Sequence, residues 1–116
     1  SYSVTGVQTC ALPIYRLSET LASRRHADPE KSYTAKLFSE GPDSILKKIG
    51  EECAELIMAG KDGKRLNIVR ESTDVVYHIL VLLAFYGLSI EDVSQEMRRR
   101  EGISGIDEKA SRSANK

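Results

Sequence analysis

The sequence predicts an all-α protein, a bundle of about five helices in a single domain. The chain has 116 residues, of which 41% are hydrophobic, and this is enough for one packed core. From Tyr15 onward it is rich in Leu, Ala, Glu, Lys and Arg, which favour helices. Most of its glycines and prolines stand between these segments, as expected at helix ends, and no strand pair is indicated.

The first fourteen residues differ from the rest of the chain. They have no helical or strand period that continues, and they lack the charged start and apolar stretch of a secretory signal. The run 4–14 resembles the translation of a sequencing-library adapter. We therefore interpret residues 1–14 as a non-native or disordered leader, and residues 15–116 as the single helical domain.

Five helices are expected in order, and turn residues separate them. The first has Leu17 and Leu21 one turn apart, and the second stops before Gly41 and Pro42. The predicted spans are 15–26, 30–39, 43–60, 64–86 and 89–100, followed by a polar tail.

Helix three begins at Asp43, which can cap it, and breaks at the glycines of 60–63. Its apolar residues recur at steps of three and four and form one stripe: Ile45, Leu46, Ile49, Cys53, Leu56 and Ile57. Gly87 suits the position just after helix four, and Ser89 with Asp92 resembles a capping box at the start of helix five.

Helix four is the most apolar element. The residues expected to face inward are Ile68, Val69, Val75, Val76, Ile79, Leu82 and Leu83. Its second half, 75–86, is apolar nearly all round, and a small bundle cannot easily bury every face of one helix. We therefore expect an intertwined or tightly packed homodimer.

Charge and composition exclude several classes of protein. Seventeen basic and seventeen acidic residues balance, which argues against nucleic acid or an anionic membrane as the partner. The longest apolar stretch, 75–88, is interrupted and too short for a membrane span, which needs about 18 residues. Two cysteines without metal-site spacing favour a reduced, cytoplasmic protein.

Two pairs of carboxylates carry the chemistry. Glu52 and Glu55 are three residues apart on helix three, and Glu71 and Asp74 are three apart on helix four, so each pair shares one side of its helix. If the two helices pack antiparallel across the short connection, the pairs converge. The alternative is that these are ordinary solvated helix faces.

Converging carboxylates repel one another, and a divalent cation resolves the conflict. Oxygen ligands without thiolates favour Mg²⁺, with Mn²⁺ as the other option, and such a metal suits phosphate chemistry. A spare carboxylate, Glu51, could then act as the general base that accepts a proton from the attacking water.

Basic residues near these carboxylates could hold substrate phosphates. The candidates are Lys36, Lys47, Lys48 and Lys61, together with Arg98, Arg99 and Arg100. For Lys47 and Lys48 the alternative is an ordinary ion pair with a glutamate one turn away, and the arginines suit a helix C-terminus. His78 is either a partner behind the metal ligands or a satisfied core histidine.

Four segments, 32–37, 45–52, 77–83 and 100–105, read SYTAKL, ILKKIGEE, YHILVLL and REGISG. They closely resemble the phosphoribosyl-ATP pyrophosphatase family, and the resemblance covers about residues 15–112. That family belongs to the all-α, MazG-like pyrophosphohydrolases, whose motif is Glu-Glu-x-x-Glu followed by Glu-x-x-Asp. The chain fits the motif with Glu51, Glu52, Glu55, Glu71 and Asp74.

The resemblance implies a cytoplasmic enzyme of histidine biosynthesis, acting at the second step. With Mg²⁺ it would hydrolyse the α–β phosphoanhydride of phosphoribosyl-ATP to phosphoribosyl-AMP and pyrophosphate. The implied metal ligands are Glu52, Glu55, Glu71 and Asp74, and the implied catalytic residues are Glu51 and Glu52.

Two other functions stay open. One is a housekeeping pyrophosphohydrolase of the same superfamily that acts on other nucleoside triphosphates, including deoxynucleotides, with the same metal site. The other is a non-enzymatic helical dimerisation module, whose carboxylates are solvated and paired with lysines. A di-iron bundle is disfavoured because the chain lacks Glu-x-x-His on two helices.

Overall fold

The structure is a computed structural model that describes residues 2–114, with side chains described for residues 11–113. It is all-α within these residues, which confirms the predicted fold class. The helices are α1 (Tyr2–Ser23), α2 (Tyr33–Glu40), α3 (Pro42–Asp62), α4 (Arg65–Phe85), α5 (Ile90–Arg99) and α6 (Gly105–Ala114).

The core lies where the first four helices meet. It is formed by Leu21 of α1, Leu37 and Phe38 of α2, Ile45 of α3, and Leu80, Val81 and Ala84 of α4. The closest association is between α3 and α4, which are joined only by Gly63 and Lys64 and pack as a hairpin. Gly63 ends α3 with a φ of 71°, a left-handed conformation that glycine adopts without strain.

Helix α1 begins earlier than expected. The prediction placed its start at Tyr15, but the helix runs from Tyr2 with Pro13 inside it. Proline has no amide hydrogen, so it removes one hydrogen bond, but it does not prevent the upstream residues from continuing the helix. Among the α1 side chains that the structure describes, from residue 11 onward, the buried ones are Ser18 and Leu21, and both follow residue 14. The interpretation of residues 1–14 as a non-native leader stays a prediction.

The beginning and end of α3 correct two sequence predictions. Asp43 is not the cap: it lies in the first turn, and Gly41 holds the cap position without a side-chain hydrogen bond. Pro42 starts the helix, where its missing amide costs nothing. The helix also continues through Gly60 to Asp62, because an isolated glycine weakens a helix without ending it.

The caps predicted for the α4–α5 connection are confirmed. Gly87 has a φ of 72°, and the amides of Gly87 and Leu88 donate to the carbonyls of Ala84 and Leu83, which closes α4. Ser89 and Asp92 form a capping box at the start of α5, as the sequence indicated.

The expected inward face of α4 is partly wrong. Val75 is buried and belongs to the packed face, but Val69, Val76 and Ile79 are 61%, 39% and 38% exposed. Leu46 and Ile57 belong to the predicted apolar stripe of α3, but their side chains are not buried either: the two residues are 50% and 67% exposed. One bundle has too few helices to cover all these positions, which leaves an apolar surface on the hairpin.

Helix α6 lies in the segment that was expected to be a polar tail. The Ser104 hydroxyl accepts from the Asp107 amide and so caps the helix. Glu108 is buried and forms ion pairs with Arg99, Arg100 and Arg112, which join α6 to α5. Hydrogen bonds from Arg99 and Arg100 lower the pKa of Glu96 to about 2.

Among the described helices, none is by itself long and apolar enough to cross a membrane. Only α4 and α5 taken together reach the required apolar content, and the chain bends by 102° between them.

Candidate metal centre

The α3–α4 hairpin brings three of the predicted metal ligands together. Glu52 and Glu55 project from α3, and Glu71 projects from α4. Each offers a carboxylate oxygen that lies within 4.8 Å of the oxygens offered by the other two. The spacing of three residues along α3 places its two carboxylates on one side of the helix, facing the neighbouring helix.

This cluster is partly buried, with Glu55 exposed, and two of its members are short of hydrogen-bond partners. Glu52 is only 9% exposed, and Glu71 is half-buried. The Oε2 atoms of both side chains are buried without a hydrogen-bond partner among the described residues. A buried carboxylate oxygen left in this way is costly, so the arrangement calls for a partner that the chain does not supply.

The electrostatics point the same way. Burial raises the pKa of Glu52 above its usual value, and the neighbouring carboxylates of Glu55 and Asp74 add to this, while Lys48 opposes it. Burial also raises the pKa of Glu71, with Glu55 as the next largest cause. Crowded carboxylates therefore disfavour their own ionised forms in the metal-free protein.

A hard divalent cation fits this donor set. Mg²⁺ binds carboxylate oxygens at about 2.1 Å, so ligand oxygens within 4.8 Å of one another need only small side-chain movements to share one ion. The cation would supply positive charge to the two partnerless oxygens, and no thiolate or imidazole is present to favour a softer metal.

Asp74 stands beside the three-carboxylate cluster. Its side chain is exposed, and its carboxylate is close enough to raise the pKa values of Glu52 and Glu71. It lies three residues after Glu71, so it extends the acidic face of α4 toward the start of α3.

Glu51 precedes Glu52 on α3 and lies one turn before Glu55, and it lines a groove of about 350 Å³ between α2 and α3. The residues lining the groove are Tyr33, Lys36, Leu37, Glu40, Ser44, Lys47, Lys48 and Glu51. Glu51 forms ion pairs with Lys47 at 4.0 Å and with Lys48 at 3.4 Å.

Three of the four lysines predicted to bind phosphates line this groove. Lys36 is paired with Glu40, and Lys48 lies 3.7 Å from Glu52, so it joins the groove to the acidic cluster. Lys61 is elsewhere: it is exposed in the last turn of α3, where a cation complements the helix C-terminus.

Tyr33 and His78 were not predicted as a pair. The Tyr33 hydroxyl lies 3.3 Å from His78 Nε2, and His78 Nδ1 lies 2.8 Å from the carbonyl oxygen of Asp74. Since 45 residues separate Tyr33 from His78, no local spacing could have indicated this contact. The available signal was an aromatic residue directly after a helix cap, at Ser32.

Comparison with known proteins identifies the family of the chain. A family model described as phosphoribosyl-ATP pyrophosphohydrolase matches residues 14–101. A phosphoribosyl-ATP pyrophosphatase of Dechloromonas aromatica (strain RCB) is 94% identical over 99 residues, which cover 85% of this chain and 92% of the relative. Two further phosphoribosyl-ATP pyrophosphatases are each 54% identical. The match to the protein of Nitrosospira multiformis covers 87% of this chain and 84% of the relative. The match to the protein of Azoarcus sp. (strain BH72) covers 85% of this chain and 92% of the relative. The chain therefore belongs to the phosphoribosyl-ATP pyrophosphohydrolase family.

Proposed function

We propose that this chain hydrolyses the α–β phosphoanhydride of phosphoribosyl-ATP, releasing phosphoribosyl-AMP and pyrophosphate, as a cytoplasmic enzyme of histidine biosynthesis. The observation that carries the chemistry is the cluster of three carboxylates with two buried, partnerless oxygens. The substrate is taken from the relatives, which are phosphoribosyl-ATP pyrophosphatases and of which one is 94% identical.

The metal ligands in this proposal are Glu52, Glu55, Glu71 and Asp74, and the cofactor is Mg²⁺, with Mn²⁺ as a substitute. Three of these carboxylates lie within reach of one ion, and the fourth lies beside them. When bound, the metal would neutralise charge on the phosphoanhydride and orient the reacting phosphate.

Glu51 and Glu52 are the proposed catalytic residues. Glu52 would hold the metal from its buried position. Glu51 precedes Glu52 on the same helix and is ion-paired with Lys47 and Lys48, and carboxylates are among the side chains that act as general bases. It would accept a proton from the attacking water, while the bond between the α-phosphate and the pyrophosphate breaks.

The experiment that tests this function is a substrate panel. Purified protein with Mg²⁺ is given phosphoribosyl-ATP, ATP and the deoxynucleoside triphosphates separately, and pyrophosphate release is measured. We expect release from phosphoribosyl-ATP and much slower release from the others. Turnover of deoxynucleotides without turnover of phosphoribosyl-ATP would establish the housekeeping alternative. No release from any substrate by a folded protein would favour the dimerisation module.

The groove lysines are proposed to bind the substrate's phosphates. Lys47→Ala should raise KM for phosphoribosyl-ATP by about tenfold with a smaller change in kcat, because a charge-assisted hydrogen bond is lost on binding. Lys109→Ala, on α6, makes the same change of net charge outside the groove and should leave KM unchanged. An unchanged KM for Lys47→Ala would leave Lys36 and Lys48 as the groove lysines that bind the phosphates.

We also propose that the chain is a homodimer that buries the apolar surface of the α3–α4 hairpin. Ile57, Met58, Leu66 and Val69 are each about 60% exposed or more. A second groove, which is apolar and has a volume of about 420 Å³, lies between α1 and α4. Val69 is one of the residues that line it. Contiguous exposed apolar area of this kind is typical of protein interfaces.

An interface of this kind should be sensitive to a buried charge. Val69→Arg should convert the dimer to a monomer in analytical ultracentrifugation, because an unpaired charge would have to be buried at the interface. Asn67→Arg introduces the same side chain on another face of α4 and should leave the dimer intact. A sedimentation coefficient unaffected by Val69→Arg would place the contact surface elsewhere.

A further inference from the structure

The first turn of α2 is tied to α4 by two hydroxyl contacts that lie side by side. The Tyr33 hydroxyl is 3.3 Å from His78 Nε2, and the neighbouring Thr34 hydroxyl is hydrogen-bonded to the Tyr77 hydroxyl. Thr34 and His78 are buried, whereas the Tyr33 ring is 52% exposed. The two contacts join the same helices, but only Tyr33 also lines the groove beside the metal centre.

The direction of the Tyr33 hydrogen bond is fixed by His78. Nδ1 of His78 lies 2.8 Å from the Asp74 carbonyl oxygen, which can only accept, so Nδ1 carries the hydrogen. In the neutral ring Nε2 then accepts, and the Tyr33 hydroxyl donates to it. The remaining lone pairs of the phenol oxygen are therefore free to accept a hydrogen bond from a cation.

Lys48 is a cation of the groove that this phenol lines. Its ammonium lies 3.4 Å from Glu51 and 3.7 Å from Glu52, and it lines the same groove as Tyr33. The ammonium thus lies in the groove that Tyr33 lines, at its border with the acidic cluster.

Carboxylates alone would hold this ammonium poorly during the reaction. A lysine side chain loses rotamer entropy when it is held in one place, and a metal bound by Glu52 would weaken that residue's attraction for Lys48. The phenol oxygen is a neutral partner that a metal does not compete for. It can keep the ammonium in place when the charge of the cluster changes.

We propose that Tyr33 and His78 are positioning residues, which hold the Lys48 ammonium at the boundary between the groove and the carboxylates, where it meets a phosphate of the substrate. This inference rests on the proposed function for the identity of the substrate. It adds two residues that act through Lys48, without contact with the reacting atoms, and it assigns Lys48 to the phosphates nearest the metal.

The test is a double-mutant cycle on pyrophosphate release from phosphoribosyl-ATP. Tyr33→Phe keeps the ring but removes the hydroxyl, and should lower kcat/KM by about tenfold. In a Lys48→Met background the same substitution should have an effect of no more than about twofold. Thr34→Val breaks the neighbouring contact between the same helices, and should lower the melting temperature without lowering kcat/KM.

His78→Asn tests the other half of the link. Asparagine can place its amide nitrogen near the position of Nδ1, so the bond to the Asp74 carbonyl can be kept while the acceptor for Tyr33 is lost. Its loss in kcat/KM should match that of Tyr33→Phe, and the two substitutions together should cost no more than one. Additive losses would overturn the proposal, because they would show that the residues act separately.

A second measurement separates failure of this inference from failure of the proposed function. Binding of inorganic pyrophosphate with Mg²⁺ is measured by calorimetry on the same variants, whether or not phosphoribosyl-ATP is hydrolysed. Weaker binding by Tyr33→Phe that disappears in the Lys48→Met background supports the proposal. An equal loss in both backgrounds, or the same loss in Thr34→Val, assigns Tyr33 a structural role only and overturns the proposal.

Discussion

Replacing Glu52 by glutamine should lower the rate of pyrophosphate release by about two to three orders of magnitude, with the fold intact. Glu52 is the most buried of the acidic cluster, and one of its carboxylate oxygens is buried without a hydrogen-bond partner. Glutamine keeps the shape of the side chain but removes the negative charge that a cation needs. The measurement is steady-state pyrophosphate release from phosphoribosyl-ATP at saturating Mg²⁺.

The matched control is Glu91→Gln, which makes the same chemical change on the exposed first turn of α5. It should retain full activity. A Glu52→Gln protein that keeps activity within a few-fold of the original would exclude Glu52 as a metal ligand. The melting temperature of the metal-free Glu52→Gln protein should not fall, because the substitution relieves repulsion with Glu55 and Asp74.

The carboxylate pairs could be predicted from sequence because helical spacing and a short connection determine them. Residues three apart share a face of a helix, and a two-residue link leaves two long helices little choice but to pack against each other. Glu52, Glu55 and Glu71 therefore meet as expected. The Ser89 cap and Gly87 are equally local features, and both were correct.

The features that could not be predicted from the sequence depend on contacts between distant segments of the chain. Apolar spacing marks Val76 and Ile79 as inward, but exposure depends on how many helices surround α4, and this bundle leaves them open. The Tyr33–His78 contact joins segments 45 residues apart. Helix α6 was missed although Ser104 followed by Asp107 is a local capping signal, because the segment's glycines and polar residues suggested a tail.

Adding Mg²⁺ should raise the melting temperature of the metal-free protein at neutral pH by on the order of 10 °C. A ligand that binds only the folded state at 100 times its Kd adds about 2.7 kcal/mol to the free energy of unfolding, and each kcal/mol shifts the melting temperature of a domain of this size by several degrees. The measurement is thermal unfolding by circular dichroism at fixed protein concentration, with NaCl of equal ionic strength as the control.

The effect of Mg²⁺ should depend on pH in a definite direction. The pKa values of Glu52 and Glu71 are raised in the folded, metal-free protein, so this state binds protons more readily than the unfolded chain does. The stabilisation from these two groups is therefore present below their unfolded pKa of 4.5 and is lost as pH rises through their folded values. Mg²⁺ binds the ionised carboxylates, so its stabilising effect should grow over the same range and be small at pH 4.5.

The Glu52→Gln protein connects this prediction to the first one. Its melting temperature should respond only weakly to Mg²⁺ at neutral pH, because one anionic ligand is gone and the cluster has lost part of its repulsion. Glu91→Gln should respond as fully as the original protein. If all three proteins melt at temperatures indifferent to millimolar Mg²⁺, the carboxylates are not a metal site. The crowding of Glu52, Glu55 and Glu71 would then have to be relieved by shared protons, as the raised pKa values of Glu52 and Glu71 permit.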